Sequence, residues 1–587
     1  MNRRDFLSRT AASSLGLAIP NSFVIGPAWH GRPSLASDVL VYGGGAGGFA
    51  AAVQASRMGA TVTVVEPSPW IGGMLTAAGV SALDGNKYGA GGGLVHEFRE
   101  RLAAHYGGYE ALFTGWISLY CYEPHVGHQF LREIAAPLVA SGRLTIQTDT
   151  DVVAIEVAGE ERVVATRQLD GTEERHAASV LVLADEYGDG LAMMGLPYRL
   201  GREAEATFGE SGAPETADLR IQDYTYAATL VRRPGAPAPH PVEAIEQRYF
   251  DQWFECSTTE DCPTPDAALL GHGLNDWESF ITYAALPNDK VLLNWPHHSN
   301  DFPAPVAFYE DRVYREQHLA ASRLHTRTFV RYMQTELGHP EWQIATDEYP
   351  TPDHLPPIPY IREARRLANG RALVQDDVVA RDGMPRAPIQ PTSIAVGDYF
   401  LDHHHAEHHL PPDRRLVEAF PPSAPYQIPA EVLFPVEDDR TLVGEKSIAV
   451  SHIINGSTRL QPPVMLMGQA LGAFAARAVD AGRAPSLADT ATVQRDLIDA
   501  GAQLYIVYDV GPDHDLFAAV QTLALAGVLG VDDPVNLEPD APATDDELAR
   551  WTPRASEVGV SHDLPQPDGA VTRGDVLASI ASAFRSP

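Results

Sequence analysis

The sequence predicts an α/β protein in which a parallel-sheet domain is interrupted by an inserted α+β domain and followed by a small helical C-terminal module. Three observations carry this. Residues 38–76, D-V-L-V-Y-G-G-G-A-G-G-F-A-A-A-V-Q-A-S-R-M-G-A-T-V-T-V-V-E-P-S-P-W-I-G-G-M-L-T, run strand, glycine turn, helix, strand and acid in that order. The pattern fades after about residue 200 and resumes at 441–478. The final stretch repeats P-D-A-P-A-T-D-D-E-L-A-R (539–550) as P-D-G-A-V-T-R-G-D-V-L-A (567–578), an offset of 28.

Val39 to Tyr42 and Val62 to Val65 are apolar runs of strand length, with a helical pattern between them. Gly43, Gly45 and Gly48 fit G-x-G-x-x-G. The first allows the turn, the second lets backbone approach a pyrophosphate, and the third lets helix pack on strand. The helix N-terminus offers N–H groups to phosphates. Glu66, 18 residues past Gly48, is placed to accept ribose hydroxyls. The unit is therefore Rossmann-like and reads as a dinucleotide site. Gly72 and Gly73 follow where FAD proteins often run a second backbone turn past the cofactor, which favours FAD over NAD.

From Gly91 the sequence turns helical. A second helix is expected after Pro124, with Val126, Phe130, Ile134 and Leu138 at a stride of four and a bend at Pro137. Leu144 to Gln147, Val152 to Val157 and Val163 to Arg167 read as a β-meander, and Val180 to Ala184 as a fully apolar strand. Residues 200–392 lack the dinucleotide pattern, are rich in proline and contain one long helix near 316–337. They read as an inserted substrate domain. Arg362, Glu363, Arg365 and Arg366 read as a salt-bridged helix start, with one arginine left to face cofactor or substrate. A strand then reaches Val443, and a helix begins near Pro462 and Pro463, proline being favoured in a first turn. In the C-terminal module, Asp515 to Leu529 is expected to be helical. Both repeats place Thr three residues before an acid, a capping box that opens a helix.

The pair Y-G-G-G-A-G-G and V-E-P-x-x-x-I-G-G-M-L-T resembles the FAD-dependent oxidoreductase family that includes many exported flavoproteins. The resemblance covers roughly 38–480, including V-L-L-N-W-P-H-H-S-N-D-F (292–302), D-E-Y-P-T-P-D-H-L-P-P-I-P-Y-I-R-E-A-R-R (347–366) and S-I-A-V-G-D-Y-F-L-D-H-H-H (393–405). It implies FAD as cofactor, held by Gly43, Gly45, Gly48, Glu66, Gly72, Gly73 and Met74. It implies that Ala184, Asp185, Gly188 and Asp189 lie near the adenosine half. It also implies that the 441–478 segment closes over the flavin ring, with Arg459, Gln461 and the backbone near Val464 beside it. A positive helix end there would stabilise reduced flavin. The implied boundaries are 36–199 and 393–500 for the two parts of the FAD-binding domain, 200–392 for the substrate domain, and 501–587 for the helical module, which resembles a diverged S-layer-homology-like unit.

Residues 1–35 read as a twin-arginine signal peptide, with Arg3 and Arg4 followed by Phe6, Leu7 and a mildly apolar segment, Ala11 to Ile19. The twin-arginine export machinery is then a partner, and the expected location is periplasmic or extracellular. No stretch is apolar for about 18 residues, so no membrane span is expected. A formal charge of −34 argues against nucleic acid and anionic membranes. There are only three lysines, Lys87, Lys290 and Lys446; an acidic, lysine-poor surface suits high salt, and GC-rich codon bias explains the arginine equally well. Cys256 and Cys262 lie in a polar loop where a disulfide is permitted, with two unlinked thiols as the alternative. Cys121 reads as a buried thiol.

Candidate chemistry centres on Asp402-His403-His404-His405. Neighbouring residues on a strand point to opposite faces, so three consecutive rings cannot meet one ion, and no metal is expected. In the resembled family an Asp-x-His pattern lies near the flavin face. His404 is then the first choice of general base, His403 and His405 are alternates, and Asp402 could fix its tautomer. His452 is the other candidate base. The expected reaction is oxidation of a secondary alcohol of a polyhydroxylated, carbohydrate-like substrate, by hydride transfer to flavin N5. The electron acceptor is not specified by the sequence. Trp29, Trp70, Trp116, Trp253, Trp277 and Trp295 could offer stacking faces to sugar rings. The alternatives are a flavin-dependent lyase or isomerase, and a cell-surface binding protein that uses the FAD fold as scaffold.

Overall fold

The computed structural model describes residues 35–85, 91–235, 237–242, 247–254, 257–258, 276–295, 299–368, 370–405, 420–560 and 571–584. The twin-arginine segment, Cys256, Cys262, Trp29 and part of the second C-terminal repeat lie outside the described residues.

β1 (Leu35–Tyr42), α1 (Ala46–Arg57) and β2 (Val62–Val65) form the expected strand–helix–strand unit. α2 (Gly93–Tyr106) and α3 (Pro124–Ala140) follow. α3 runs three residues past Pro137, the proline expected to bend it. β3 (Leu144–Gln147), expected in the meander, instead pairs parallel with β2, and the meander is β4 (Thr150–Ala158), β5 (Glu161–Gln168) and β6 (Glu173–Leu183).

The order β3-β2-β1-β6 is parallel throughout. On its other edge β6 pairs in two halves. Its first half, Glu173 to Ala178, is antiparallel to β5, and its last residues, Leu181 to Leu183, run parallel to Thr441–Val443. The meander thus leaves the sheet just where the chain returns some 260 residues later. Buried on both faces, Val39–Tyr42 and Val180–Leu183 can be apolar without alternation.

A second, antiparallel sheet lies in the inserted region. It orders Ala285–Leu286, then β8 (Lys290–Leu293), β7 (Ala228–Arg232) and β9 (Trp342–Ile344). The long helix α4 (Arg312–Thr335) starts at Asp311, whose side chain accepts from the N–H groups of Val313 and Tyr314. Leu230, Phe254, Trp295, Phe329 and Met333 form a core of their own there.

The chain then runs β10 (Ser393–Gly397), β11 (Tyr426–Pro429), β12 (Thr441–Val443), α5 (His452–Thr458) and α6 (Gln461–Ala481). α6 carries its prolines in the first turn, as expected. α7 (Thr490–Asp499), α8 (Phe517–Leu525), α9 (Asp545–Glu557) and α10 (Arg573–Ala583) complete the chain. Thr544 with Glu547 and Thr572 with Asp575 form both capping boxes. Phe517, Trp551 and Leu577 belong to the same apolar core as the parallel sheet. No helix among the described residues is long and apolar enough to cross a membrane.

One expectation is corrected. Arg362, Glu363, Arg365 and Arg366 do not begin a helix; they lie in a non-helical segment that ends in the short strand Arg366–Leu367. All four are buried, and each is held by charged partners from elsewhere in the chain.

Candidate functional site: a dinucleotide cradle beside a charged histidine cluster

Gly43 ends β1 at φ +95°, a conformation that costs glycine little. A Cβ at Gly48 would lie 1.9 Å from the Gly43 carbonyl oxygen, so only glycine lets α1 start this close to β1. Gly45 is the N-cap of α1. Gly72 donates its N–H to the Gly44 carbonyl at 2.7 Å, which docks the second glycine turn on the first. Gly73, Met74 and Leu75 then make a short 3-10 turn. Ala184 follows β6 directly and donates its N–H to Tyr42.

Glu66 accepts N–H bonds from Gly44 at 2.7 Å and Ser68 at 2.8 Å. Burial pushes its carboxyl up to about 7, against those bonds. Another carboxylate meets the helix end itself: Glu445 Oε1 accepts the Gly47 N–H at 2.6 Å. Burial raises Glu445 to about 7, partly opposed by Lys446, whose ammonium lies 3.5 Å from it and 2.6 Å from Glu186. Glu186 Oε1 and a Cβ placed on Gly73 would be 2.6 Å apart. Glu445 therefore accepts at the N-terminus of α1, the place where a helix end offers its N–H groups to an anion. With the bare glycine backbone and Glu66 beside it, the residues fit the pyrophosphate and ribose of FAD.

α6 packs on α1 through small residues. A Cβ at Gly468 would lie 2.2 Å from the Gly47 carbonyl oxygen, and one at Gly472 would lie 2.3 Å from that of Ala51. Gln461 uses its whole amide to brace the 80–84 segment, donating to Val80 and Ala82 and accepting from Asp84. Val464 is buried against Gly47. Asp185 caps the turn after β6 by accepting from Asp189 and Gly190. Arg315 and Arg365 grip Asp189 at 2.7 and 2.6 Å and hold its carboxyl well below the usual range, against the cost of burial.

Segment 402–405 sends alternate side chains to two different clusters. Asp402 and His404 share one. His404 Nδ1 lies 2.7 Å from Asp301 Oδ2, and its Nε2 lies 3.0 Å from Asp402 Oδ2. Arg362 stands 3.0 Å from Asp301 and Arg459 2.7 Å from Asp402. Arg459 also donates to the Tyr360 hydroxyl. Both aspartates are depressed well below the usual carboxylate range, against burial, Asp402 chiefly by His404 and then Arg459, and Asp301 chiefly by Arg362 and then His404. His404 is raised above its ordinary value: burial and Arg362 oppose its charge, and the two carboxylates prevail. The residue expected to fix the tautomer was Asp402, yet the Nδ1 partner is Asp301.

His403 and His405 go the other way, toward His452 at the start of α5. His403 Nε2 lies 2.9 Å from the Ile453 carbonyl, and its Nδ1 lies 3.1 Å from His452 Nε2. His452 Nδ1 is 3.0 Å from Glu363 Oε2. His452 also borders a narrow surface crevice with Glu203, Glu210, Phe420 and Ile453 among its walls.

Sequence reasoning missed Asp301 and Glu445 as site residues. Asp301 falls inside the 292–302 stretch, whose resemblance to the family was the available signal. Glu445 follows the β12 glycine and had none. Cys121 is a buried thiol, pushed up to about 11 by burial. Trp295 is buried, and Trp70 and Trp277 are already stacked on His128 and His339.

Parts of the chain are similar to known proteins. The sarcosine oxidase subunit alpha of Corynebacterium sp. (strain U-96) is 40% identical over 81 residues, 14% of this chain and 8% of that protein. Among solved structures, the L-proline dehydrogenase of P. horikoshii is similar at 18% identity, with a TM-score of 0.17, over 26% of this chain and 22% of its own. The bacillithiol disulfide reductase of Bacillus cereus is similar at 18% identity and a TM-score of 0.17, over 29% and 44%. The matched part spans less than half of each of these proteins. The profile "FAD dependent oxidoreductase" matches residues 38–497, from the first strand of the sheet to the helix after α6. A chain matched over that length, with the glycine cradle and ribose acid in register, belongs to the FAD-dependent oxidoreductase family.

Proposed function

We propose that this oxidoreductase is a dehydrogenase that oxidises a secondary alcohol of a polyhydroxylated, carbohydrate-like substrate. The observation that carries the reading is the orientation of His404. Asp301, buried and 2.7 Å from Nδ1, keeps a proton on that nitrogen; Nε2 lies 3.0 Å from Asp402, the less buried of the two carboxylates, and a substrate hydroxyl that displaces Asp402 there makes Nε2 the nitrogen that exchanges protons. Bound FAD supplies the two-electron acceptor. The alcohol proton passes to His404 Nε2, and Asp402 accepts a hydrogen bond from the imidazolium so formed. Arg459 balances Asp402, and Arg362 balances Asp301. Carboxylates, guanidinium groups and the Tyr360 hydroxyl together offer donors and acceptors, which suits a substrate carrying several hydroxyls.

Because the His404 value is raised, the base form accumulates only above the ordinary histidine range. The test is an anaerobic screen of polyols, saccharides, amines and amino acids, followed by bleaching of the flavin. Polyhydroxylated compounds should bleach it, faster as pH rises. Bleaching by amines or amino acids alone would replace the alcohol reading.

We also propose export of the folded protein by the twin-arginine route. Its support is Arg3 and Arg4 ahead of Phe6 and Leu7. Replacing both arginines by lysine should leave the protein in the cytoplasm, and undiminished export of that variant would rule the route out.

A further inference from the structure

His403, His405 and His452 form a group that the proposed chemistry leaves unused. One donor nitrogen from each lies within 4.8 Å of the others. The argument against a metal, that H-H-H cannot turn three rings to one ion, holds for consecutive residues. It does not reach this set, which takes the i and i+2 rings and draws the third from α5.

The proton arrangement makes the set specific. A carbonyl oxygen can only accept, so the 2.9 Å contact of His403 Nε2 with Ile453 puts the proton on Nε2. Its Nδ1 then carries a lone pair. A carboxylate 3.0 Å from His452 Nδ1 favours a proton on that nitrogen. His403 Nδ1 and His452 Nε2 stand 3.1 Å apart, a contact that one cation between them, a shared proton or a metal ion, holds together. Two nitrogens at that spacing are spanned by an ion at the ordinary zinc–nitrogen distance of about 2.0–2.1 Å.

The outer contacts match as well. Ligating histidines hold their second nitrogen on a carbonyl or carboxylate, which fixes the ring and raises its basicity. Here Ile453 and Glu363 supply one of each.

We propose that His403, His405 and His452 bind a divalent transition-metal ion of the zinc class, with Glu363 and the Ile453 carbonyl orienting two of the ligands. Three protein nitrogens leave a fourth tetrahedral position open. That position is filled by water or by a further side chain. The ion ties segment 402–405 to the start of α5. Through that segment it sets where His404 stands, without touching the His404 cluster.

The experiment is metal analysis of the flavin-loaded, full-length protein after loading with Zn²⁺ and exhaustive dialysis. About one equivalent per chain should remain. Cobalt in its place should give visible ligand-field absorption at longer wavelength than the flavin. His403→Gln and His452→Gln should each lose at least tenfold in affinity. Glu363→Gln should lose about 10–100-fold, the usual range for an outer partner. His404→Gln, facing the other cluster, should keep its metal. Two results would overturn the site: no retained ion and no cobalt band in the wild-type protein, or equal retention in the wild type and both histidine variants. The wild-type cobalt titration decides the matter even where a variant does not fold.

Discussion

Asp301→Asn isolates the orientation of His404. The exchange keeps an oxygen near Nδ1 and removes its charge. A hydrogen bond to a charged group is worth about 1.5–3 kcal/mol and a neutral one about 0.5–1.5 kcal/mol, so roughly 1–2 kcal/mol of imidazolium stabilisation is lost. At about 1.4 kcal/mol per pKa unit this lowers His404 by about one unit. The assay is anaerobic stopped-flow reduction of the flavin by substrate across pH. In the wild-type protein the rate should climb through a midpoint above about 6.5, the ordinary histidine value. In the variant that midpoint should move about one unit lower. Stability follows the same groups with opposite signs. The raised His404 contributes fully below about 6.5, and its contribution is lost as pH rises through its folded value. The depressed Asp301 and Asp402 contribute fully above the unfolded carboxylate range, and lose this as pH falls through their folded values. The cluster is therefore tightest between about pH 4 and 6.5. The variant also takes a charged partner from buried Arg362, so its melting temperature should fall. Asp402→Asn, at a more exposed site, is the companion variant. An unmoved midpoint in Asp301→Asn protein with full flavin content would show that the group titrating in catalysis is not His404.

FAD affinity for the apoprotein should weaken as pH rises through about 7, because ionised Glu445 holds the Gly47 N–H against the pyrophosphate. Glu445→Gln should flatten that dependence, by up to roughly tenfold at the alkaline end, in titrations followed by flavin fluorescence. Gly468→Ala should lower stability by about 1–3 kcal/mol in denaturant titrations, since its methyl group meets the Gly47 backbone. Gly511→Ala, with nothing within 4 Å, is its control and should be close to neutral. Thr544→Ala removes the cap that accepts from Glu547 and should cost about 1 kcal/mol without touching flavin content.

The sheet was legible because its signals are local. Val62–Val65 and Leu144–Gln147 came out with the expected ends, the first as a largely apolar buried parallel strand and the second, L-T-I-Q at the sheet edge, by its alternation. The glycine turn was legible because each glycine answers a separate steric demand. The Arg362–Arg366 segment misled because its charges resemble those of a helix start, while their partners, Asp301, Asp189 and Glu203, are remote in sequence. His404, expected as the base with Asp402 beside it, lies 3.0 Å from Asp402, and its Nδ1 partner Asp301 lies 103 residues away. Period-two alternation was applied to dismiss a shared ion. The same alternation, followed one step further, places His403 and His405 on one side.

The contact between α1 and α6 also fixes a time. Its two faces, Ala46–Arg57 and Gln461–Ala481, are made at opposite ends of synthesis. Until the ribosome has passed residue 443, β6 lacks the strand that completes its outer edge, and until it has passed 481 the glycine turn lacks the full helix that covers it. The inserted sheet, whose core draws on its own residues, can close earlier. A nascent chain therefore carries an open, apolar α1 through most of its elongation and gains its cofactor only near the end. A protein truncated anywhere before α6 should emerge colourless, whatever else of it has folded.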